Sequence, residues 1–158
     1  DNHVIVLRSF GKFFGLAGIR IGFLVAGSYW CQKFQALLGP WQVNGPAQLI
    51  AEKALNDTRW HTQQKTQLAN LRKAQELALW QVFSRTLLLD IQGCDLFLTL
   101  RFHQAEHAEK IYHLLCQQGV YCRLADEQDT LRFGITTEKS LKRLINACTL
   151  AEKTISSG

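Results

Sequence analysis

A lysine in a glycine-rich segment is the residue of this chain best suited to chemistry. Lys12 follows Gly11 and precedes two phenylalanines, and Arg20 stands eight residues later. A lysine amine is nucleophilic only in its neutral form, which desolvation or a neighbouring cation favours. These residue types suit a lysine that forms a Schiff base with the aldehyde of pyridoxal 5′-phosphate.

The same segment offers groups that could bind the phosphate of that cofactor. A phosphate calls for a planar guanidinium together with hydroxyl and backbone N–H donors. Arg20, Ser9 and the amides of the turn provide them. Other phosphate-binding patterns are excluded, because Phe13 follows the lysine where a Walker A loop needs Ser or Thr. The glycine spacing also differs from that of the dinucleotide-binding fingerprint.

Residues 9–22 read S-x-x-K-x-x-G-L-x-G-x-R-x-G. This pattern resembles the lysine signature of fold-type I pyridoxal-phosphate enzymes, in the branch similar to histidinol-phosphate aminotransferases. The resemblance implies that Lys12 carries the cofactor and that Ser9 and Arg20 bind its phosphate. The alternative is a surface lysine on a tight turn, which does not account for the whole pattern.

The segment 39–46, G-P-W-Q-V-N-G-P, is the second informative stretch. It resembles the P-W-x-V-N loop of the threonine-phosphate decarboxylases of cobalamin biosynthesis. In related enzymes this loop reaches towards the active site, often across a dimer interface. The resemblance therefore makes Asn44 a candidate for substrate binding, and Trp41 for contact with substrate or a partner site. For Trp41, a structural role as an anchor between helices is equally open.

Arg132, within L-R-F-G-I at 131–135, is the third candidate. The segment resembles the late strand that presents an arginine to the substrate α-carboxylate in this superfamily. A bidentate guanidinium suits that carboxylate, and a strand gives it a fixed direction. Alternatively, Arg132 could be a surface residue on an edge strand.

No metal site is predicted. The segment 103–107 reads H-x-x-E-H, an inverted zincin pattern. However, His103 directly follows a predicted strand, so the two histidines would not share one helix face. Five cysteines without a C-x-x-C pair indicate neither a disulfide framework nor a zinc ribbon. Reduced thiols are typical of cytoplasmic proteins, so a cytoplasmic protein is expected.

The hydrophobic patterns predict elements that must position these residues. The apolar runs 4–7 and 19–26 predict two strands buried on both faces of a parallel or mixed sheet. Three helices follow, at 29–38, 46–55 and 58–83. The second half predicts a small α+β lobe with strands at 95–102, 120–124 and 131–135 and helices at 105–118 and 137–155.

The expected fold class is therefore α/β with an α+β small lobe, as in the C-terminal part of a fold-type I aminotransferase. Residues 1–57 would be part of the large, cofactor-binding domain, including an edge of its sheet. Residues 58–158 would form the interdomain helix and the small domain. Family features that normally lie upstream have no counterpart here. The chain is thus interpreted as a C-terminal fragment that neither holds the cofactor tightly nor turns over alone.

Composition narrows the possible partners of the protein. The net charge of +5 is spread without a long basic run, which argues against nucleic acid. The sequence contains no run of about 20 apolar residues, the length that a membrane-spanning helix needs. The resemblance implies a small phosphorylated amino-acid substrate and a homodimer. Decarboxylation of threonine phosphate is the leading hypothesis, an aminotransferase of the histidinol-phosphate type is the second, and a non-catalytic binding or dimerisation module is the third.

Overall fold

A computed structural model describes residues 3–157 of the chain. The described residues divide into two compact units, the first ending at His61 and the second beginning at Thr62. None of the described helices is long and apolar enough to span a bilayer.

The first unit holds a hairpin and two helices. Strand β1 (Val6–Ser9) pairs antiparallel with β2 (Gly22–Val25), and helices α1 (Ser28–Leu38) and α2 (Gly45–Asn56) follow. Helix α1 ends at Gly39, whose φ of 71° suits a glycine. The helices lie within two residues of the predicted bounds.

The two strands of the first unit differ from the prediction in pairing and in burial. They form a two-stranded antiparallel sheet, and Leu7 is 75% exposed while Val6 is 43% exposed. Within the described residues these strands pair only with each other, and they are not buried on both faces as the sequence predicts. An apolar run reports what a strand could bury, but a two-stranded hairpin has too little neighbouring structure to cover both its faces.

The second unit is built on a four-stranded antiparallel sheet, and helix α3 (Thr58–Val82) crosses the boundary into it. The remaining elements are β3 (Leu88–Cys94), β4 (Phe97–Phe102), α4 (Ala105–Gln117), β5 (Arg123–Leu124), β6 (Thr130–Gly134) and α5 (Glu138–Ser156). The strand order in the sheet is β3, β4, β6, β5.

One face of this sheet packs on the helices and forms the core. Alternate residues of β4 and β6 are buried, as expected for strands with one covered face. They join a cluster with residues of α3, α4 and α5. The buried residues of these two strands are Leu98, Leu100, Phe102, Leu131 and Phe133. The opposite face carries the side chains between them, including Thr99 and Arg132.

Candidate functional site

Lys12 lies on a tight turn between the two strands of the first unit. The N–H of Gly15 donates to the carbonyl of Lys12 over 3.0 Å, and the N–H of Leu16 donates to the carbonyl of Phe10 over 2.8 Å. Gly15 has a φ of 67°, a conformation that favours glycine. The turn leaves the side chain of Lys12 exposed.

Aromatic rings of this turn pack against one another and against Trp60. Phe10 is only 2% exposed, and its ring stacks on Phe14 with centroids 4.4 Å apart. Phe14 stacks in turn on Trp60, while Phe13 meets Trp60 edge to face at 5.3 Å. Such pairs are worth about 0.5–1.5 kcal/mol each beyond area burial. The rings therefore hold the backbone of Lys12 in place without covering its amine.

Arg20 follows a 3-10 turn (Ala17–Ile19) and adopts a left-handed backbone conformation, with φ 54° and ψ 49°. This conformation costs a residue with a Cβ about 1–2 kcal/mol. The guanidinium Nη1 donates to the carbonyl of Ala17 over 3.2 Å. Backbone strain of this kind is often found at functional sites, where surrounding contacts maintain it.

Ser9, Lys12 and Arg20 line one surface cavity of about 410 Å³. The structure thus places the three predicted residues around one cavity. Gly22 also lines the cavity, and a Cβ added there would lie 2.8 Å from the carbonyl oxygen of Arg8, so a glycine is required. The other lining residues are small or apolar: Gly11, Leu16, Ala17 and Ile21.

Asn44 does not line this cavity but is bonded to the backbone directly before one of its lining residues, Arg20. Its Oδ1 accepts a hydrogen bond from the N–H of Ala47 over 2.9 Å and so caps helix α2. Its Nδ2 donates to the carbonyl of Ile19 over 3.4 Å. Trp41, three residues earlier, is 94% exposed. Substrate contact by Asn44 stays a prediction.

Arg132 lies in the second unit, on strand β6 between β4 and β5. The alternative of an edge-strand residue is therefore wrong. Its guanidinium lies over the ring of Phe97, 5.1 Å from the centroid, and its neighbours across the sheet are Thr99 and Arg123. The cation–π contact holds the cation on the face of the sheet that faces away from the core.

Arg123 is a candidate that the sequence did not reveal. It sits directly opposite Arg132 in the antiparallel pairing, so both side chains project from the same face. Like charges in directly opposed positions are destabilising. Two arginines on one face of a sheet can both donate to one anion. The sequence does not predict this pairing, because β5 has only two residues and the register of so short a strand cannot be inferred.

Gln75 is a buried polar residue that fixes the end of strand β6. Its Nε2 donates to the carbonyl of Gly134 over 3.0 Å, and its Oε1 accepts from the N–H of Thr136 over 2.9 Å and from the hydroxyl of Thr136 over 3.1 Å. The side chain is fully buried, and the amide is satisfied at both ends. Gln75 therefore locks the chain just beyond Arg132.

The described residues contain no set of three or more histidine, cysteine or acidic side chains placed to hold a metal ion. His103 precedes helix α4, as predicted, and its Nε2 lies 3.2 Å from the carbonyl oxygen of Arg85. Burial raises the pKa of Cys122 and of Cys148 to about 12, so both thiols are neutral near pH 7. A neutral thiol is a poor nucleophile.

The sequence model of the aminotransferase class I and II family matches residues 1–148. The chain belongs to this family. The expected α/β fold is confirmed, since the chain matches an aminotransferase structure over nearly its whole length. That structure is a histidinol-phosphate aminotransferase from Sinorhizobium meliloti in complex with pyridoxal-5′-phosphate, with a TM-score of 0.75 and 23% identity. The match covers 98% of this chain and 42% of that one.

Two relatives match different shares of the chain. A threonine-phosphate decarboxylase from Pseudomonas aeruginosa is 33% identical over 95% of this chain and 43% of its own length. A histidinol-phosphate aminotransferase from Legionella pneumophila (strain Lens) is 37% identical over 44% of this chain and 19% of its own length. The chain therefore spans less than half the length of these relatives.

Proposed function

We propose that the protein containing this chain is a pyridoxal-phosphate enzyme whose cofactor is bound through Lys12. The observation that carries this proposal is the single cavity lined by Ser9, Lys12 and Arg20. Its volume of about 410 Å³ lies within the usual range for small-molecule sites. Membership of the aminotransferase class I and II family supports the same proposal.

The residues of the cavity fit the two reactive parts of the cofactor. The guanidinium of Arg20 and the hydroxyl of Ser9 would hold the phosphate, and the amine of Lys12 would bind the aldehyde carbon. When bound, pyridoxal phosphate supplies an electron sink for a carbanion at the substrate α-carbon. Once displaced by the substrate amine, Lys12 is the group that would move a proton at that carbon.

Arg132 and Arg123 suit a substrate that carries two anionic groups. The Arg132 guanidinium would bind the α-carboxylate by two hydrogen bonds, and Arg123 beside it would bind the phosphate. We assign the substrate as L-threonine O-3-phosphate and the product as aminopropanol phosphate for cobalamin biosynthesis. The bond between the α-carbon and the carboxylate breaks, carbon dioxide leaves, and Lys12 donates a proton to the α-carbon. The support is the similarity to a threonine-phosphate decarboxylase along 95% of the chain.

An aminotransferase acting on a histidinol-phosphate type of substrate is the second candidate. A histidinol-phosphate aminotransferase matches 44% of the chain at 37% identity, which favours it specifically. Lys12 serves both reactions, because it would then move a proton away from the α-carbon instead of adding one. A non-catalytic binding or dimerisation module is the third, and Ser9, Lys12 and Arg20 lining one cavity count against it.

The deciding experiment is product analysis on the complete gene product. With threonine phosphate and no keto acid, a decarboxylase yields aminopropanol phosphate, whereas an aminotransferase requires an acceptor keto acid. Lys12→Ala should lower kcat by about 10²–10⁴-fold, the usual contribution of a proton-transferring group. Lys53→Ala, on helix α2, is the matched control. Equal turnover in Lys12→Ala and the control would contradict the proposal.

Three further properties are proposed on the same basis. The chain as given should bind pyridoxal phosphate weakly and show no turnover, since it spans less than half the length of its relatives. The intact enzyme should be a cytoplasmic homodimer. Spectroscopic titration of this chain with the cofactor, beside the complete gene product, tests the first; tight binding by the chain alone would contradict it.

A further inference from the structure

Asn44 uses both ends of its side-chain amide within the first unit. Oδ1 accepts from Ala47 and caps helix α2, while Nδ2 donates to the carbonyl of Ile19. Because the capping bond requires an oxygen, the nitrogen must be the atom that faces Ile19. One side chain therefore joins the start of α2 to the backbone just before Arg20.

The carbonyl of Ile19 belongs to the peptide that leads into Arg20. Arg20 is one of two residues with a Cβ, among those described, that have a positive φ. A left-handed residue keeps its conformation only when its neighbours hold the adjoining peptides. The bond from Asn44 holds one of these peptides, and the bond from the Arg20 guanidinium to Ala17 holds the side chain over the same turn.

We infer that Asn44 is a positioning residue for Arg20, so that it sets the affinity of the site for the phosphate of the cofactor. This inference rests on the proposed function. Asn44 acts through the backbone of Arg20 and does not itself touch the cofactor. This positioning role differs from the substrate contact that the loop pattern predicts for Asn44.

The variant Asn44→Asp separates this role from helix capping. Aspartate is as good an N-cap as asparagine, and its charge is favourable at a helix N-terminus. It replaces the donor that faces Ile19 with a second acceptor, so the bond to the carbonyl is lost. Asn56→Asp makes the same chemical change at the exposed far end of the same helix and is the matched control.

The measurement is the affinity of the complete gene product for two aldehydes, pyridoxal phosphate and pyridoxal. Both can react with Lys12, but only the first carries a phosphate for Arg20. Asn44→Asp should weaken pyridoxal phosphate binding about 3- to 10-fold, the effect of one hydrogen bond, and leave pyridoxal binding unchanged. Asn56→Asp should change neither. In an Arg20→Ala background, Asn44→Asp should have no further effect, because coupled residues are not additive.

The inference is overturned if Asn44→Asp weakens both aldehydes equally, if its effect persists in the Arg20→Ala background, or if it raises KM for the substrate alone. Wild-type affinity of Asn44→Asp for pyridoxal phosphate overturns it as well. These four results overturn the inference only and leave the proposed function intact. A wild-type protein that binds neither aldehyde through Lys12 overturns the proposed function, and the inference with it.

Discussion

The two units of this chain differ in how they bury hydrophobic residues. In the first, Phe10, Ala47 and Ala51 are the buried hydrophobic residues among those described. In the second, one continuous core joins a four-stranded sheet to three helices. The stabilisation from the hydrophobic effect, which scales with buried apolar area, is therefore concentrated in the second unit.

The candidate functional residues are distributed differently between the two units. Lys12 and Arg20 lie on turns of the first unit, held by local hydrogen bonds and by stacked rings. Arg132 lies on a central strand of the second unit. The comparison shows two ways of fixing a functional side chain. Local hydrogen bonds and ring contacts fix the residues of the first unit, and a strand held by the hydrophobic core fixes Arg132 in the second.

The largest effect expected from this contrast is on stability. Leu98→Ala removes a fully buried side chain of β4 and should lower the free energy of unfolding by about 2–5 kcal/mol. Leu7→Ala, at a side chain 75% exposed in β1, should change it by less than about 0.5 kcal/mol. Urea titration followed by circular dichroism measures both. Similar losses at the two positions would break the comparison.

Most elements of the fold could be predicted from the sequence, because their signals are local. Asn44 caps α2 and Thr137 caps α5, as their residue types indicate. Gly119 has a φ of 67° at the end of α4, which is typical of a helix-terminating glycine. The cluster around Lys12 was also predictable, since its members lie within one short segment.

What could not be predicted depends on contacts between distant residues. Strand β3 (Leu88–Cys94) was not predicted, because the apolar run at its start is followed by polar residues and a glycine. That glycine, Gly93, lies so close to the backbone of Phe97 that an added Cβ would clash with it. The pairing of Arg123 with Arg132 and the bonds of Gln75 to Gly134 are likewise non-local. Hydrophobic periodicity contains no information about such contacts.

Substitution of the paired arginines should give the opposite pattern to Leu98→Ala. Arg132→Ala and Arg123→Ala should each lower kcat/KM for threonine phosphate by about 10- to 100-fold, the effect of losing hydrogen bonds to a charged group. The free energy of unfolding should stay the same or rise slightly in Arg123→Ala, because a like-charge pair is removed. In Arg132→Ala the loss of the cation–π contact with Phe97 offsets this gain. Arg101→Ala, on the same face of β4, is the control. If the control lost as much activity, the specific roles of the pair would be wrong.

A third substitution tests how the second unit holds the strand of Arg132. Gln75→Leu leaves the N–H of Thr136 and the carbonyl of Gly134 without their partner, which should cost about 1–3 kcal/mol. Gln81→Leu changes the same residue type at an exposed position of α3 and should have little effect. Thermal unfolding compares the two variants. A neutral Gln75→Leu would show that water satisfies both groups.

The buried thiol of Cys148 in the second unit should make stability depend on pH. Its pKa is raised from 9.0 to about 12 because burial disfavours the thiolate. Below pH 9 the thiol is neutral in both states; above it the unfolded chain ionises first, so stability falls between pH 9 and 12 by at most about 1.4 kcal/mol per pH unit. Urea titrations across this range should show a flatter decline for Cys148→Ala. Cys94→Ala, at an exposed site, is the control for loss of a thiol. An unchanged slope in Cys148→Ala would mean that the core of the second unit admits the charge, which would weaken its contrast with the first.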